Sequence, residues 1–400
     1  MILLSELEEA YRLQQERINK NIPIIERDKE QFIQIQNDHV QVISGIRRSG
    51  KSTLLRQIMK QYKKVAHFNF EDPRLANFTV EDFAKLDKII PKDVDAYFFD
   101  EIQNVVGWEI YVRQLHDYGK KVFVTGSNAS LLGKELGTKL TGRYLSLELF
   151  PFSLREYLKF KKMTASPENA VKYLSEGGFP EYLKSENVES LQNLFKDIVL
   201  RDVAIRYGVR NTKTLVDIAL FLLSNIGKET TYNRIKNIFQ VGSSNSVMDY
   251  LSWLEDAYLL FFLNRFSYSA KSMAVNPRKV YAIDNGLVLA NTLSLLKDQG
   301  RLLENAVYIH LRNQDNKMFY FKEKHECDFV LFNREKPECV IQVCYEINSD
   351  NQLREFSGLL EAMEYFGLEE GQIITLNQND TMEVAGKKIT LLSFNRFVEE

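Results

Sequence analysis

The chain has 400 residues, 26% of them charged, and a formal net charge of −2. That length exceeds what one hydrophobic core usually organises. The near-neutral balance excludes a protein that coats nucleic acid by bulk electrostatics and leaves only a local basic face for any such partner.

The stretch 1–37 carries Leu4, Leu7, Tyr11 and Ile18 at helical spacing among many charges, so amphipathic helices are expected there. From 38 to 151 short β-type runs (VQVISG, VAHFNF, DAYFFD, KVFVTG, RYLSLELF) alternate with helical stretches. That alternation predicts an α/β domain, a parallel sheet with helices on both faces. Residues 152–211 are expected to form a helical linker or lid, interrupted by a loop at EGGFPEYL. Residues 212–275 read as three helices followed by a β run, a winged-helix-like pattern with Ser243 or Ser244 capping the third helix. Residues 276–400 mix helices and strands: a helix at LLENAVYIHLRN, strands at KMFYFK, CDFVLFN and CVIQVCYEI, a helix at LREFSGLLEAMEYF and a strand at GQIITL. The longest apolar run, Ala257 to Leu263, is too short to span a bilayer, and the charged N-terminal stretch lacks a signal-peptide core. Cys327, Cys339 and Cys344 form no CxxC pair and suit a reducing compartment. The expectation is a cytoplasmic protein with no membrane partner.

Gly45, Gly50, Lys51 and Ser52 satisfy GxxxxGK[ST] between a β run and a helical run, the context in which that pattern cradles phosphates. The expected nucleotide-binding set is Gly45, Ile46, Arg47, Arg48, Ser49, Gly50, Lys51, Ser52 and Thr53. Arg47 and Arg48 occupy variable positions and carry no chemistry of their own. Backbone N–H groups and the helix N-terminus would hold the phosphates, Lys51 would bridge the β- and γ-phosphates, and Ser52 would offer its hydroxyl to Mg²⁺. Asp100 and Glu101 end the apolar run AYFFDE, where a Walker B pair belongs: Asp100 for the metal shell, Glu101 to polarise the attacking water. Asn128, with Ser127 as the alternative, stands where a polar sensor would read the γ-phosphate; capping a following helix is its ordinary role. Arg143, ahead of the last strand, is the candidate arginine finger, in cis or toward a neighbouring subunit, although a lone arginine is more often simply ion-paired.

These stretches resemble a known family, the bacterial and archaeal AAA-type ATPases whose P-loop domain is fused to a C-terminal domain of unknown function. The resemblance rests on GIRRSGKST, FFDEIQNVVGW, VTGSNASLL, LTGRYLSLELFPFSLREY, GGFPEYL, LRDV, VYAIDNGL, LLENAV, ECDFV and IQVCYE, and spans nearly the whole chain. The arrangement of Asp100, Glu101, Gln103 and Trp108 is particularly like that family. It implies an ATP-binding domain, a winged-helix-like middle and a C-terminal fold similar to PD-(D/E)xK nucleases, and it supplies no substrate.

In nucleases of that kind a helix glutamate, a strand aspartate and a later E/Q-x-K strand hold a divalent metal. Glu304, Asp328 and Gln342 occupy the matching positions, and Cys344 stands where the lysine belongs. A thiol supplies neither a permanent charge nor a hard ligand. Lys322 or Lys324 would have to replace it, and an inactive, structural or docking remnant is the favoured expectation. Asp249, Glu255 and Asp256 on the third middle helix would repel phosphate, while Lys228, Arg234, Lys236 and Arg265 restore some positive charge.

The leading expectation is thus an ATPase with ATP and Mg²⁺ as its cofactors, coupling nucleotide state to the later segments. DNA and a protein are the partner classes left open, as is the oligomeric state. The alternatives are a nucleotide-gated binding module with little turnover and a metal-dependent nuclease.

Overall fold

Five short apolar strands build the first sheet: β1 (Val40–Ser44), β2 (Val65–Asn69), β3 (Ala96–Asp100), β4 (Lys121–Gly126) and β5 (Tyr144–Glu148). Their order is β2-β3-β4-β1-β5, and every pair is parallel. Period-two alternation sends neighbouring residues to opposite faces. Val40, Val42, Phe68, Phe99 and Val124 meet the helices Leu4–Ile18, Phe83–Ile89 and Trp108–Asp117 on one side. Ile43, Phe98 and Phe123 meet Leu54, Leu55 and Ile58 of the helix Lys51–Met59 on the other. The sheet is therefore covered on both faces, and its C-terminal edge is left for loops. The computed structural model describes residues 2–18, 25–29, 33, 37–129, 140, 142–293 and 298–399. The chain divides into two compact units, Met1–Phe150 and Pro151–Glu400.

The second unit opens with the helices Leu154–Lys161, Pro167–Glu176, Pro180–Ser185 and Val188–Asp197, the last running on into a π-helical turn at Ile198–Ile205. The stretch read as a loop at EGGFPEYL is thus half helix. Pro180 occupies a first-turn position, where its missing N–H costs nothing and its fixed φ favours helix entry. Three helices follow, Thr212–Leu223, Tyr232–Phe239 and Ser244–Asp256, the third capped by Ser243. A three-stranded antiparallel sheet comes next, β6 (Glu229–Thr230), β7 (Leu260–Asn264) and β8 (Arg278–Ala282), with β8 central.

The helix Gln299–Asn313 leads into a six-stranded mixed sheet of order β13-β14-β12-β11-β10-β9. Its strands are β9 (Lys317–Lys322), β10 (Glu326–Asn333), β11 (Lys336–Val343), β12 (Glu370–Thr375), β13 (Asp380–Val384) and β14 (Lys387–Ser393). The helix Gln352–Phe366 packs Phe356, Leu359 and Met363 onto Val330, Val340 and Ile373 of this sheet. β11 ends at Val343, so Cys344 lies just past the strand rather than within it, its N–H still donating to the Ile374 carbonyl (3.0 Å).

Candidate functional site

At the C-terminal end of β1 the chain turns sharply, with Gly45 at φ 150°, Arg48 at 65° and Gly50 at 103°, and enters the helix at Lys51. A Cβ on Gly45 would stand 2.1 Å from the Leu149 carbonyl oxygen, so only glycine allows the loop to pass the end of β5. Arg27 fixes that passage from the other side: its guanidinium donates to the carbonyls of Ser49 (2.8 Å) and Phe150 (2.6 Å). Lys51 is buried and donates to the carbonyls of Gly45 (3.0 Å) and Ile46 (3.1 Å). Ser49 is fully buried, with its hydroxyl unpartnered among the described residues. Arg47 turns to Glu71 (2.5 Å).

Parallel pairing brings the ends of β3 and β4 beside this loop. Lys51 Nζ stands 3.4 Å from Glu101 Oε1. Gln103 donates to Glu101 Oε2 (2.6 Å) and to the Ser127 hydroxyl (3.3 Å). Thr125 donates its hydroxyl to Asp100 and accepts the Glu101 N–H (3.0 Å). Glu101 adopts a left-handed backbone, φ 53°, uncommon for a residue with a side chain and a form of strain found at functional sites. Burial pushes Glu101 up, but Lys51 and hydrogen bonds from Gln103 and Ser127 outweigh it and hold the carboxyl below its usual range. Burial and the charge of Glu101 push Asp100 up, against hydrogen bonds from Thr125 and Ser52 and the pull of Lys51.

The structure therefore gathers Lys51, Ser52, Asp100, Glu101 and Ser127 at one edge, with Asn128 buried at the end of β4. It does not bring Arg143 there. Arg143 precedes β5, whose first residue pairs with Val40 at the start of β1, so it lies at the opposite end of the sheet, roughly five residues at 3.3 Å each from the loop. Its guanidinium faces Asp117 at 3.3 Å. This corrects the expected cis finger. The sequence reading passed over Thr125 and Arg27. Thr125 carried a weak signal, a polar residue closing an apolar strand, and Arg27 carried none.

In the second unit Glu304 and Asp328 converge on a residue the sequence reading overlooked, while Gln342 reaches the Asp328 backbone N–H. Lys279 on β8 is 1% exposed. Its ammonium stands 3.1 Å from Glu304 Oε1, 2.7 Å from Glu326 Oε1 and 2.7 Å from Asp328 Oδ1. Burial pulls Lys279 down, but Asp328, Glu304 and Glu326 outweigh it and hold the ammonium form well above its usual range. Neither Lys322 nor Lys324 fills the vacant lysine role. Lys322 bridges Glu229 and Glu326 at 3.0 Å each, and Lys324 is exposed. The Cys344 thiol, pushed up to about 11 by burial, donates to the Glu346 carbonyl (3.1 Å). Among the described residues no group of three or more His, Cys, Asp or Glu is placed to hold a metal ion. No described helix is long and apolar enough to cross a membrane.

Residues 37–158 match an AAA domain family, and residues 167–299 match a domain of unknown function, DUF8612. The uncharacterized protein MJ1544 of Methanocaldococcus jannaschii is 36% identical over 391 residues, covering 91% of this chain and 87% of that protein. An uncharacterized protein of Haemophilus influenzae is 32% identical over 344 residues, covering 80% of this chain and 86% of its own length. Among solved structures, AMPPCP-bound DnaA from Aquifex aeolicus is 16% identical with a TM-score of 0.29, covering 62% of this chain and 88% of that one. Cdc6p from Pyrobaculum aerophilum is 12% identical with a TM-score of 0.28, covering 73% and 98%. Likenesses of that size carry no argument about activity. The relatives show the family: over nearly their full lengths this chain belongs to the family of MJ1544, with a P-loop AAA domain on its parallel sheet.

Proposed function

We propose that the first unit binds and hydrolyses Mg-ATP and that the second unit is its output, acting on a protein partner. The observation that carries this reading is the Lys51–Glu101 ion pair, continued by hydrogen bonds through Gln103 to Ser127, beside a glycine-lined loop. The loop fits a phosphate. Gly45 leaves a cradle that a Cβ would fill, Ser49 keeps a buried hydroxyl without a partner, and Lys51 satisfies its ammonium on loop carbonyls until a stronger acceptor arrives. Ser52 and Asp100, which share a hydrogen bond, are the residues that would hold Mg²⁺. When bound, Mg²⁺ neutralises phosphate charge as the terminal bond breaks. Glu101, held ionised, orients and polarises water, Gln103 and Ser127 keep its carboxylate in place, and Asn128 reads the γ-phosphate. Lys51→Ala is expected to lose ATP retention in equilibrium binding while melting like the parent; retained tight binding would contradict the loop assignment.

Two features of the second unit support its reading as a winged-helix-like segment followed by a restriction-endonuclease-like domain. Three helices precede the β7–β8 ladder, and the mixed sheet carries Asp328 and Gln342 while the helix residue Glu304 shares Lys279 with Asp328. The helix Ser244–Asp256 argues for protein over DNA. It exposes Met248 and Asp249, Trp253 is stacked on Tyr207 (4.7 Å), and Asp256 accepts from the Tyr207 hydroxyl (3.1 Å). Phosphate would meet carboxylates on that face. Duplex DNA is accordingly expected to change ATP turnover by less than about twofold, whereas salt-sensitive stimulation of tenfold or more would favour a DNA reader.

A further inference from the structure

We propose that Lys279 takes the position a divalent cation would hold in a nuclease-like centre, so that Glu304, Glu326 and Asp328 join β8 to the six-stranded sheet instead of binding metal. The donor count fits the ammonium. Lysine offers three N–H donors, and three carboxylates receive them at 2.7–3.1 Å. A hard cation instead needs about six oxygen ligands, and several of the acceptors here are already engaged elsewhere. Asp328 Oδ2 accepts the Val343 N–H (2.9 Å), and Glu304 Oε1 also accepts the Tyr281 hydroxyl (2.7 Å). Gln342 Oε1 accepts the Asp328 N–H (3.3 Å), while its amide donates to Glu355 (2.7 Å). The third expected ligand is thus spent on positioning the second.

The joint does not end at Lys279. Glu229 on β6 receives Lys322 (3.0 Å) and the Tyr320 hydroxyl (3.0 Å) from β9, and Arg265 reaches Glu323 (3.2 Å). Residues of the three-stranded sheet and the segment after β7 thus meet the β9–β10 edge through charged pairs. A metal entering the centre would have to expel a buried ammonium from the three carboxylates that receive it, leaving it unpaired in the interior. Chemistry that in a nuclease would serve hydrolysis serves as an internal fastening, which makes the second unit one output body rather than a reader tethered to a cutter.

The inference rests on the nuclease-like reading only for the metal it replaces, and it is independent of ATP turnover. The test is calorimetric titration of Mn²⁺ into the nucleotide-free full chain carrying Asp100→Asn, which removes the cation ligand at the P-loop. This parent is expected to show no saturable Mn²⁺ binding. Adding Lys279→Met is expected to lower the melting temperature by roughly 10 °C and to create a Mn²⁺ site that Asp328→Asn abolishes. Saturable Mn²⁺ binding by the parent, lost with Asp328→Asn, overturns the proposal. A melting loss with no gain of Mn²⁺ binding keeps the fastening and removes the nuclease-like reading. Should Lys279→Met fail to fold, amine labelling of the parent decides: Lys279 is expected to stay protected with or without millimolar Mn²⁺, and labelling that rises with Mn²⁺ overturns the proposal.

Discussion

Two residues show how close approach and burial set energies that no motif states. Gly45 lets the nucleotide loop pass within reach of the Leu149 carbonyl, and the Leu149 N–H in turn donates to Ser44 O (2.7 Å). Gly45→Ala should therefore displace β5 from the loop and cost about 3 kcal/mol, read as a lower unfolding midpoint together with weakened ATP binding. Asp284, buried in the second unit, accepts the backbone N–H groups of Gly178 (2.6 Å) and Leu287 (2.9 Å), and Gly177 has room for no side chain beside it. Burial raises its carboxyl from 3.8 to about 6 in spite of these bonds. A carboxyl raised on folding contributes stability that is complete below the unfolded value and is lost as pH climbs through the folded one. The window is therefore about pH 4 to 7, and the loss is at most about 3 kcal/mol. Asp284→Asn keeps an acceptor and cannot ionise, so its melting temperature relative to the parent should rise between pH 5 and pH 8. An unchanged difference across that range would contradict the assignment.

Among the elements, those legible in the sequence were the ones whose pattern is local. The five strands of the first sheet announced themselves as apolar runs closed by polar residues, and the P-loop and Asp100–Glu101 fell where strand ends put them. Pro180 was misread because proline both ends and begins helices. The strands β13 and β14 went unrecognised because DTMEV is short and buries no residue, and KKITLLS opens on two lysines and does not alternate cleanly. Lys279 was invisible for a different reason: it lies 25 residues before Glu304 and 49 before Asp328, and only the approach of β8 to the helix Gln299–Asn313 and to β10 brings the three together. Arg27 is equally non-local, and it ties the loop to the end of β5 by two charge-assisted hydrogen bonds. Arg27→Ala is expected to weaken ATP binding about tenfold and to lower stability by about 2–3 kcal/mol. A variant that binds ATP as the parent does would place Arg27 outside the loop's support.

For the whole molecule, the activity proposed for the first unit is ATP turnover, in a chain of near-neutral net charge that carries an AAA domain. In the second unit Glu304, Glu326 and Asp328 surround a lysine, so on the proposed reading work on a partner, rather than strand cleavage, is the output expected of it. The central claim is that Glu101, held by Lys51, Gln103 and Ser127, activates water for hydrolysis. Steady-state phosphate release, measured with bound nucleotide on the same samples of parent and Glu101→Gln, tests it most directly. The account predicts that Glu101→Gln retains ATP while turnover falls by roughly 10²–10⁴; turnover equal to the parent's, at equal occupancy, would contradict it.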